Sequence, residues 1–380
     1  MTRSIDHSPD VVVVGAGIAG LSVAQRAAAR GLRPLVLDGG DLAGGATHVA
    51  AGMLAPVAEA AFGEGALLEL NLAAAARYPA WVDELTELGG RDPGYRRSGT
   101  LLVARDRDQA EALEREADFR RQNGLAVERL TPSRARGVEP ALAPTIRLAF
   151  SAPDDHAVDP RALTAALLAA IDRGGGEVRA GVRVRELLVE SDRVAGVRLQ
   201  DESELRAGAV VVAAGARSGQ LGGLPEHARV PVRPVKGQLL RLRDPAGPGL
   251  LDRVLRTEEC YVVPRGDGRY VLGATTEERG FDETVTAGAL HDLLRDAVEV
   301  LPGLAELEVL EASAGLRPGT PDNAPALGPG ALAGLHWATG HYRHGILLAP
   351  LTGDLVVAGL LGEPVDERFS PTRFAAGVTA

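Results

Sequence analysis

A glycine-rich turn near the amino terminus has the residue types and spacing of a phosphate-binding loop. Residues 15–20 read Gly-Ala-Gly-Ile-Ala-Gly, a G-x-G-x-x-G string. Its glycines permit a tight turn, a close approach of the backbone to a pyrophosphate, and close packing of a helix on a strand. Asp38 follows about 20 positions later, where a carboxylate can accept hydrogen bonds from a ribose diol. We therefore predict a dinucleotide site comprising Gly15, Gly17, Ile18, Ala19, Gly20, Asp38 and Gly39.

The elements around this turn are those needed to position it. Val11 to Val14 is a four-valine run typical of a strand buried on both faces of a parallel sheet. Apolar residues then recur at helical spacing until Gly31, and Leu35 to Leu37 predicts a second strand. The order is strand, turn, helix, strand within about 30 residues, a βαβ unit. This unit does not distinguish NAD from FAD.

Several later strings combine small residues with isolated arginines, histidines or a tyrosine. Residues 43–56 read AGGATHVAAGMLAP, and residues 261–265 read YVVPR. Residues 314–322 read AGLRPGTPD, and residues 338–350 read ATGHYRHGILLAP. In this order the strings resemble segments of D-amino-acid-oxidase-like FAD-dependent oxidoreductases. The AAGMLAP part looks particularly like the glycine oxidases of thiamine biosynthesis.

The resemblance spans nearly the whole chain and implies an architecture. The fold class is α/β, α+β overall, with a Rossmann-like FAD-binding domain and an interleaved, mainly antiparallel β substrate-binding domain. The FAD-binding domain is expected to be discontinuous, over 10–82, 150–225 and 325–365. The substrate-binding domain would comprise 83–149 and 226–324.

The resemblance also implies the residues of a substrate site. Arg317 would grip a substrate carboxylate through its planar fork, and the hydroxyl of Tyr261 would meet the same carboxylate. Arg343 would lie near the substrate and the flavin edge. Thr276 stands where the glycine oxidases have methionine, and this departure puts the preference for glycine in doubt. Each residue also has a purely structural alternative, such as a surface ion pair for Arg317 or a packed aromatic for Tyr261.

The flavin contacts implied by the resemblance lie mostly in two loops. Residues 340–347 would bring backbone N–H groups and a helix N-terminus toward the flavin, although His344 replaces a usual asparagine. The further implied contacts are Ala46, Thr47, Ala51, Gly52, Met53, Val184, Gly215, His341, Tyr342, Arg343, His344, Gly345, Ile346 and Leu347.

The implied reaction is FAD-dependent oxidation of glycine, sarcosine or small D-amino acids by oxygen. Hydride transfer to flavin N5 would give an imino acid, then ammonia and hydrogen peroxide. The imine would supply thiazole formation, with possible hand-off to thiazole synthase. A related D-amino-acid oxidase, or a dehydrogenase using another acceptor, is the alternative. An NAD-dependent dehydrogenase and a non-catalytic flavin-binding module are further hypotheses.

Composition limits the other possibilities. The formal net charge of −10, without clustered Lys or Arg, argues against nucleic-acid binding. A single cysteine, Cys260, cannot form an internal disulfide, so a cytoplasmic location is the default expectation. No apolar run is long enough for a membrane span, and no signal peptide is evident. No metal is expected, because His341 and His344 lack partner ligands. The resemblance implies a homo-oligomer, commonly a homotetramer.

Other elements can be predicted from local patterns. Tyr95 to Ala104 and Val178 to Leu187 are each expected to form one strand. Arg107 to Asn123 is predicted as an exposed helix, and Gly345 to Leu361 as a final apolar helix. Lys236, the only lysine, is either a residue of a solvated strand or part of the site.

Overall fold

The computed structural model describes residues 8–378, with side chains to residue 375. Six of its strands form a sheet that contains the predicted βαβ unit. Its strand order is β19-β20-β13-β1-β2-β9, with β19 antiparallel to β20 and the other pairs parallel. The strands are β1 (Val11–Val14), β2 (Pro34–Leu37), β9 (Glu177–Arg179), β13 (Ala209–Val212), β19 (Ala326–Pro329) and β20 (Leu335–Thr339). Val11 to Val14 are all buried, as a central parallel strand requires.

An eight-stranded sheet forms the second large layer. Its order is β18-β14-β17-β16-β15-β5-β7-β6, and only the β15–β5 pair is parallel. The strands are β5 (Thr100–Ala104), β6 (Glu128–Leu130), β7 (Leu148–Ala152), β14 (Arg233–Arg243), β15 (Val254–Arg256), β16 (Tyr261–Pro264), β17 (Arg269–Gly273) and β18 (Glu308–Gly319).

Two small antiparallel sheets complete the strands. One contains β10 (Val184–Glu190), β11 (Arg193–Leu199) and β12 (Glu204–Arg206), and the other contains β3 (Met53–Leu54), β8 (His156–Val158) and β4 (Tyr95–Arg96). The α-helices are α1 (Ile18–Ala29), α2 (Ala46–Val49), α3 (Gly65–Gly89), α4 (Arg107–Gln122), α5 (Pro132–Val138), α6 (Pro160–Arg173), α7 (Ala287–Val300) and α8 (Ala349–Leu360). Short 3-10 helices span Gly215–Gln220, Glu226–Ala228, Pro302–Glu306, Glu367–Phe369 and Pro371–Val378.

The six-stranded sheet is the middle of three layers. One face of β1, through Val11 and Val13, packs on a cluster that includes Leu21 of α1 and Leu163 of α6. The opposite face packs on the β10–β12 sheet. Burial on both faces explains why the strands of this sheet consist mainly of continuous apolar residues.

The eight-stranded sheet is also covered on both faces. One face packs on α7 through a cluster that includes Leu240, Leu272 and Leu293. The other packs on α4 through Phe150 and Leu113. This mainly antiparallel sheet and the six-stranded sheet together confirm the predicted fold class. The proposed domain division stays a prediction, and β7 lies across its boundary at residue 150.

Three predicted elements are corrected. Residues 95–104 form two strands in different sheets, separated at Gly99, which has a φ of 69°. Residues 178–187 are likewise divided between β9 and β10, with Gly181 at φ 70° between them. The last apolar helix begins at Ala349 rather than Gly345. Pro350 favours this start, because proline fits the first turn of a helix.

Candidate functional site

A cavity of about 860 Å³ is lined by residues of both the six-stranded and the eight-stranded sheet. It is lined by the β1–α1 turn, residues 43–53, parts of β14, β15, β16 and β18, and the 340–347 loop. Every sequence-predicted site residue lines this cavity except Gly20, which is buried in the first turn of α1. The structure therefore brings together residues that are more than 300 positions apart in the chain.

The β1–α1 turn lines the cavity, and its first glycine leaves no room for a side chain. Gly15 has a φ of 110°, and a methyl group at this position would overlap the carbonyl of Ala213. The N–H of Ala16 donates to Asp38 Oδ2 at 2.7 Å, so the carboxylate of Asp38 lies beside the turn. The N–H of Ile18 donates to Thr47 Oγ1 at 2.9 Å. This arrangement is suited to a dinucleotide whose phosphates meet the N-terminus of α1.

The 340–347 loop forms another wall of the cavity. Leu348 donates its N–H to the His344 carbonyl at 2.8 Å, which shapes the loop as a turn. In the part of the chain that the structure describes, the N–H groups of Gly345, Ile346 and Leu347 have no acceptor, and these residues line the cavity. The predicted N–H groups are thus present, but they belong to a turn that precedes α8 rather than to the helix N-terminus.

Buried histidines stabilise this loop. His341 Nε2 lies 2.8 Å from Thr352 Oγ1 of α8. Burial, with a smaller contribution from His344, lowers the pKa of His341 to about 4. Burial also lowers the pKa of His344. Among the described residues no group of three or more His, Cys, Asp or Glu side chains could hold a metal ion.

Arg317 and Tyr261 lie side by side at the eight-stranded end of the cavity. Arg317 Nη1 donates to the carbonyls of Lys236 and Thr275, at 3.3 and 3.1 Å. Gly237 permits this position, because a methyl group there would overlap the guanidinium. Burial raises the pKa of Tyr261, and the neighbouring Arg317 opposes that shift. Arg317 forms no ion pair with any carboxylate of residues 8–375, so its charge is available to an anionic ligand.

Arg343 and Thr276 line the same cavity with exposed side chains. The Arg343 guanidinium lies 5.1 Å from the ring centre of Tyr342, within the range of a cation–π contact. This contact supports the structural alternative, in which Arg343 organises the loop. Arg343 also lines the cavity. Thr276 contributes a small, polar and exposed side chain to the lining.

Lys236 does not line the cavity. Its side chain is 1% exposed, and Nζ lies 2.7 Å from Asp282 Oδ2. The solvated-strand alternative for Lys236 is wrong, because the ammonium is buried and paired. Its contribution to the site is indirect, through the carbonyl that accepts from Arg317.

Sequence reasoning missed several charged residues of the lining. Glu59 and Arg256 lie on the wall near Tyr261, and Glu258 and Glu259 follow Arg256 closely in the chain. The available signal for Glu59 was its position, just after the apolar string that ends at Pro56. Nothing local in the sequence pointed to the others.

Comparison with known proteins decides the family. Residues 10–358 match the family described as FAD dependent oxidoreductase, DAO. The chain belongs to this family. The DAO-family assignment agrees with the cavity, where the glycine turn, Asp38 and the N–H groups of the 340–347 loop fit FAD. The family assignment makes the protein an FAD-dependent oxidoreductase.

Individual DAO-family proteins resemble the chain over most of its length. It is 36% identical to a glycine oxidase of Geobacillus kaustophilus, over 93% of each chain. A crystal structure of glycine oxidase from the same organism matches with a TM-score of 0.89 and 33% identity, covering 97% of this chain and 99% of that one. The bifunctional protein ThiO/ThiG of Synechocystis is 36% identical over 96% of this chain. This chain spans only 54% of that relative's length.

No α-helix among the described residues is long and apolar enough to cross a membrane.

Proposed function

We propose that this enzyme oxidises glycine, and less readily sarcosine or small D-amino acids. The products would be an imino acid, glyoxylate and ammonia after hydrolysis, and hydrogen peroxide from oxygen. The observation that carries the proposal is an arginine without a carboxylate partner, Arg317, beside Tyr261 in the cavity that fits FAD. Relatives that are named glycine oxidases support the choice of substrate.

The carboxylate of the substrate would be held by Arg317 and the Tyr261 hydroxyl. A guanidinium and a phenol together give charge-assisted hydrogen bonds of defined direction, so the α-carbon is oriented as well as bound. The carbonyls of Lys236 and Thr275 fix the guanidinium before the substrate arrives, which reduces the ordering that binding requires. FAD, when bound, accepts the hydride that leaves the α-carbon.

The cavity residues would also exclude water and place the cofactor. Gly15, Gly17 and Asp38 would hold the phosphates and the ribose, and the N–H groups of residues 345–347 would face the flavin ring. Those N–H groups would stabilise negative charge that develops on the ring. The roles of Ala46, Thr47 and residues 51–53 as a small-residue floor under the flavin are part of the same proposal.

Anaerobic mixing of the flavin-loaded protein with a panel of amino acids tests the proposal. Glycine should bleach the flavin absorption, sarcosine and D-alanine more slowly, and L-alanine not at all. Admission of air should restore the colour with release of hydrogen peroxide. If saturating glycine leaves the flavin oxidised, the proposal fails. Bleaching that only an artificial acceptor reverses identifies the alternative dehydrogenase, and stronger bleaching by larger D-amino acids identifies a D-amino-acid oxidase.

The biological setting is a further part of the proposal. The fused ThiO/ThiG relatives support an imine that supplies thiazole formation, with hand-off to a thiazole synthase. Co-purification with a thiazole synthase, and growth without thiamine that depends on this protein, would test it. The homotetramer and the cytoplasmic location remain predictions, which sedimentation and cell fractionation can check.

A further inference from the structure

Glu59 is a part-buried carboxylate on the cavity wall, with a side chain that is 17% exposed. Its two nearest cationic or basic neighbours are Arg256 Nε, 3.8 Å from Oε1, and His344 Nδ1, 3.9 Å from Oε2. Both distances exceed that of a hydrogen bond. Within residues 8–375 neither oxygen of Glu59 accepts a hydrogen bond. Burial lowers the pKa of His344, which leaves Arg256 as the cationic neighbour of Glu59, at ion-pair rather than hydrogen-bond distance.

The turn that carries Glu59 is held by charged side chains from three directions. Asp155, which is fully buried, accepts from the N–H groups of Val57 and Ala58 at 3.0 and 2.6 Å. Arg120, which is 1% exposed, donates to the carbonyls of the same two residues, each at 2.8 Å. Arg256 Nη1 donates to the Ala58 carbonyl at 2.7 Å. These hydrogen bonds from buried side chains fix the backbone immediately before Glu59.

Glu59 lies close to the proposed carboxylate anchor. Arg256, its cationic neighbour, pairs directly with Tyr261 across β15 and β16. Burial has the largest effect on the pKa of Tyr261 and raises it. The charge of Arg317 lowers this pKa, and Glu59 raises it. One part of the wall therefore carries an arginine without an acidic partner and a carboxylate without a hydrogen-bond donor. These are complementary to a small zwitterion, whose carboxylate and ammonium are separated by one carbon.

We propose that Glu59 receives the ammonium group of the substrate and thereby selects amine-bearing acids over acids without an amine. Glu59 would act in recognition, with Asp155 and Arg120 as positioning residues. This inference rests on the proposed function for the placement of the substrate carboxylate on Arg317.

The test compares glycine with acetate and glycolate in the flavin-loaded Glu59→Gln variant. Dissociation constants are measured anaerobically, from the ligand-induced change in flavin absorption or from the concentration dependence of bleaching. Loss of a charge-assisted hydrogen bond should weaken glycine about ten- to hundredfold. Acetate and glycolate should change by less than about twofold, or bind more tightly, because a repelling charge is gone.

Glu258→Gln is the matched control, since it removes the same charge from an exposed side chain of the same cavity. It should leave the affinities for both ligands within about twofold of the original enzyme. Equal weakening of glycine and acetate in Glu59→Gln would mean that Glu59 only shapes the wall. Unchanged glycine affinity would also overturn the proposal.

A second variant protects the test against loss of folding. If Glu59→Gln fails to retain flavin, Glu59→Asp keeps the charge on a shorter arm. The shorter arm withdraws the carboxylate from the ammonium, so a loss confined to glycine agrees with the proposal, whereas equal loss for both ligands or no loss for either contradicts it. The same experiment distinguishes failure of the proposed function from failure of this inference. Glycine that binds without bleaching the flavin refutes the proposed reaction. Its affinity relative to that of acetate still measures the role of Glu59.

Discussion

At the scale of single residues, one cation of the cavity, Arg317, has no carboxylate partner among residues 8–375. Arg317 contacts backbone carbonyls and a phenol but no carboxylate, whereas Arg217, on the same cavity wall, lies 3.6 Å from Glu283. A cation that is already fixed and lacks an anion binds a carboxylate without first breaking an ion pair. This difference allows a direct comparison of the two arginines.

Arg317→Ala should weaken acetate about a hundredfold, because truncating one partner of a buried charge pair costs several kcal/mol. Acetate binding to the flavin-loaded variant can be followed by the change in flavin absorption. Arg217→Ala is the control and should stay within about threefold, since exposed ion pairs contribute little. Similar losses in both variants would show that the cavity attracts acetate only through its overall charge.

At the scale of elements, the β1–α1 turn has no room for a side chain at its first glycine. Gly15 and Gly31 both have positive φ, at 110° and 81°, but only Gly15 lacks space for a side chain. A methyl group at Gly31 would meet no atom within 4 Å. Substituting alanine at Gly31 introduces only the strain of a positive φ, whereas alanine at Gly15 also displaces the turn.

Gly15→Ala should purify with little or no bound flavin, because the turn must move away from the Ala213 carbonyl. Gly31→Ala should retain flavin and lose only about 1 kcal/mol of folding free energy. The ratio of flavin to protein absorption measures the first effect, and urea unfolding measures the second. A fully loaded Gly15→Ala protein would contradict the role assigned to the turn.

The sequence predicted the elements whose signals are local. The β1–α1–β2 unit was correct because one turn and two apolar runs specify it within a short segment. The breaks at Gly99 and Gly181 were missed, although each glycine adopts the left-handed conformation that ends a strand. Val178 and Val182 continue the strand pattern across Gly181. At both sites, local patterns do not show which sheet a strand joins.

The missed site residues depend on long-range contacts. Glu59 is positioned by Asp155 and Arg120, which are distant from it in the chain, and no spacing rule links them. Arg317 and Tyr261 were predicted only through resemblance to a family. Their adjacency follows from the β14, β16, β17 and β18 pairings, which local signals do not determine.

At the scale of the whole molecule, buried titratable groups link stability to pH. The pKa of His341 is about 4 in the folded protein, against 6.5 for the unperturbed side chain. Between these values the unfolded chain binds more protons than the folded one. The contribution of His341 to the free energy of unfolding should therefore fall as the pH is lowered from 7 toward 4, whereas Asp155, with a folded-state pKa raised by burial to about 7, contributes in the opposite direction.

His341→Asn should reduce this dependence. Relative to the original protein, the variant should lose about 2 kcal/mol less of its unfolding free energy between pH 7 and pH 5. Urea unfolding of the flavin-loaded proteins at the two pH values gives the difference. His227→Asn, which changes an exposed histidine, should keep the original slope. A slope unchanged in His341→Asn would mean that this ring also becomes protonated in the folded state.

The position of β20 has a consequence for how the protein is made. This strand, Leu335–Thr339, lies between β13 and β19 in the six-stranded sheet. The loop after it and the β1–α1 turn line the same cavity, although about 320 residues separate them in the chain. Ribosomes add about 5–20 residues per second. The nascent chain therefore carries an incomplete cofactor site for tens of seconds. Flavin can be captured fully only after β20 has been synthesised, so a chain released before β20 should be colourless and should carry an open sheet edge.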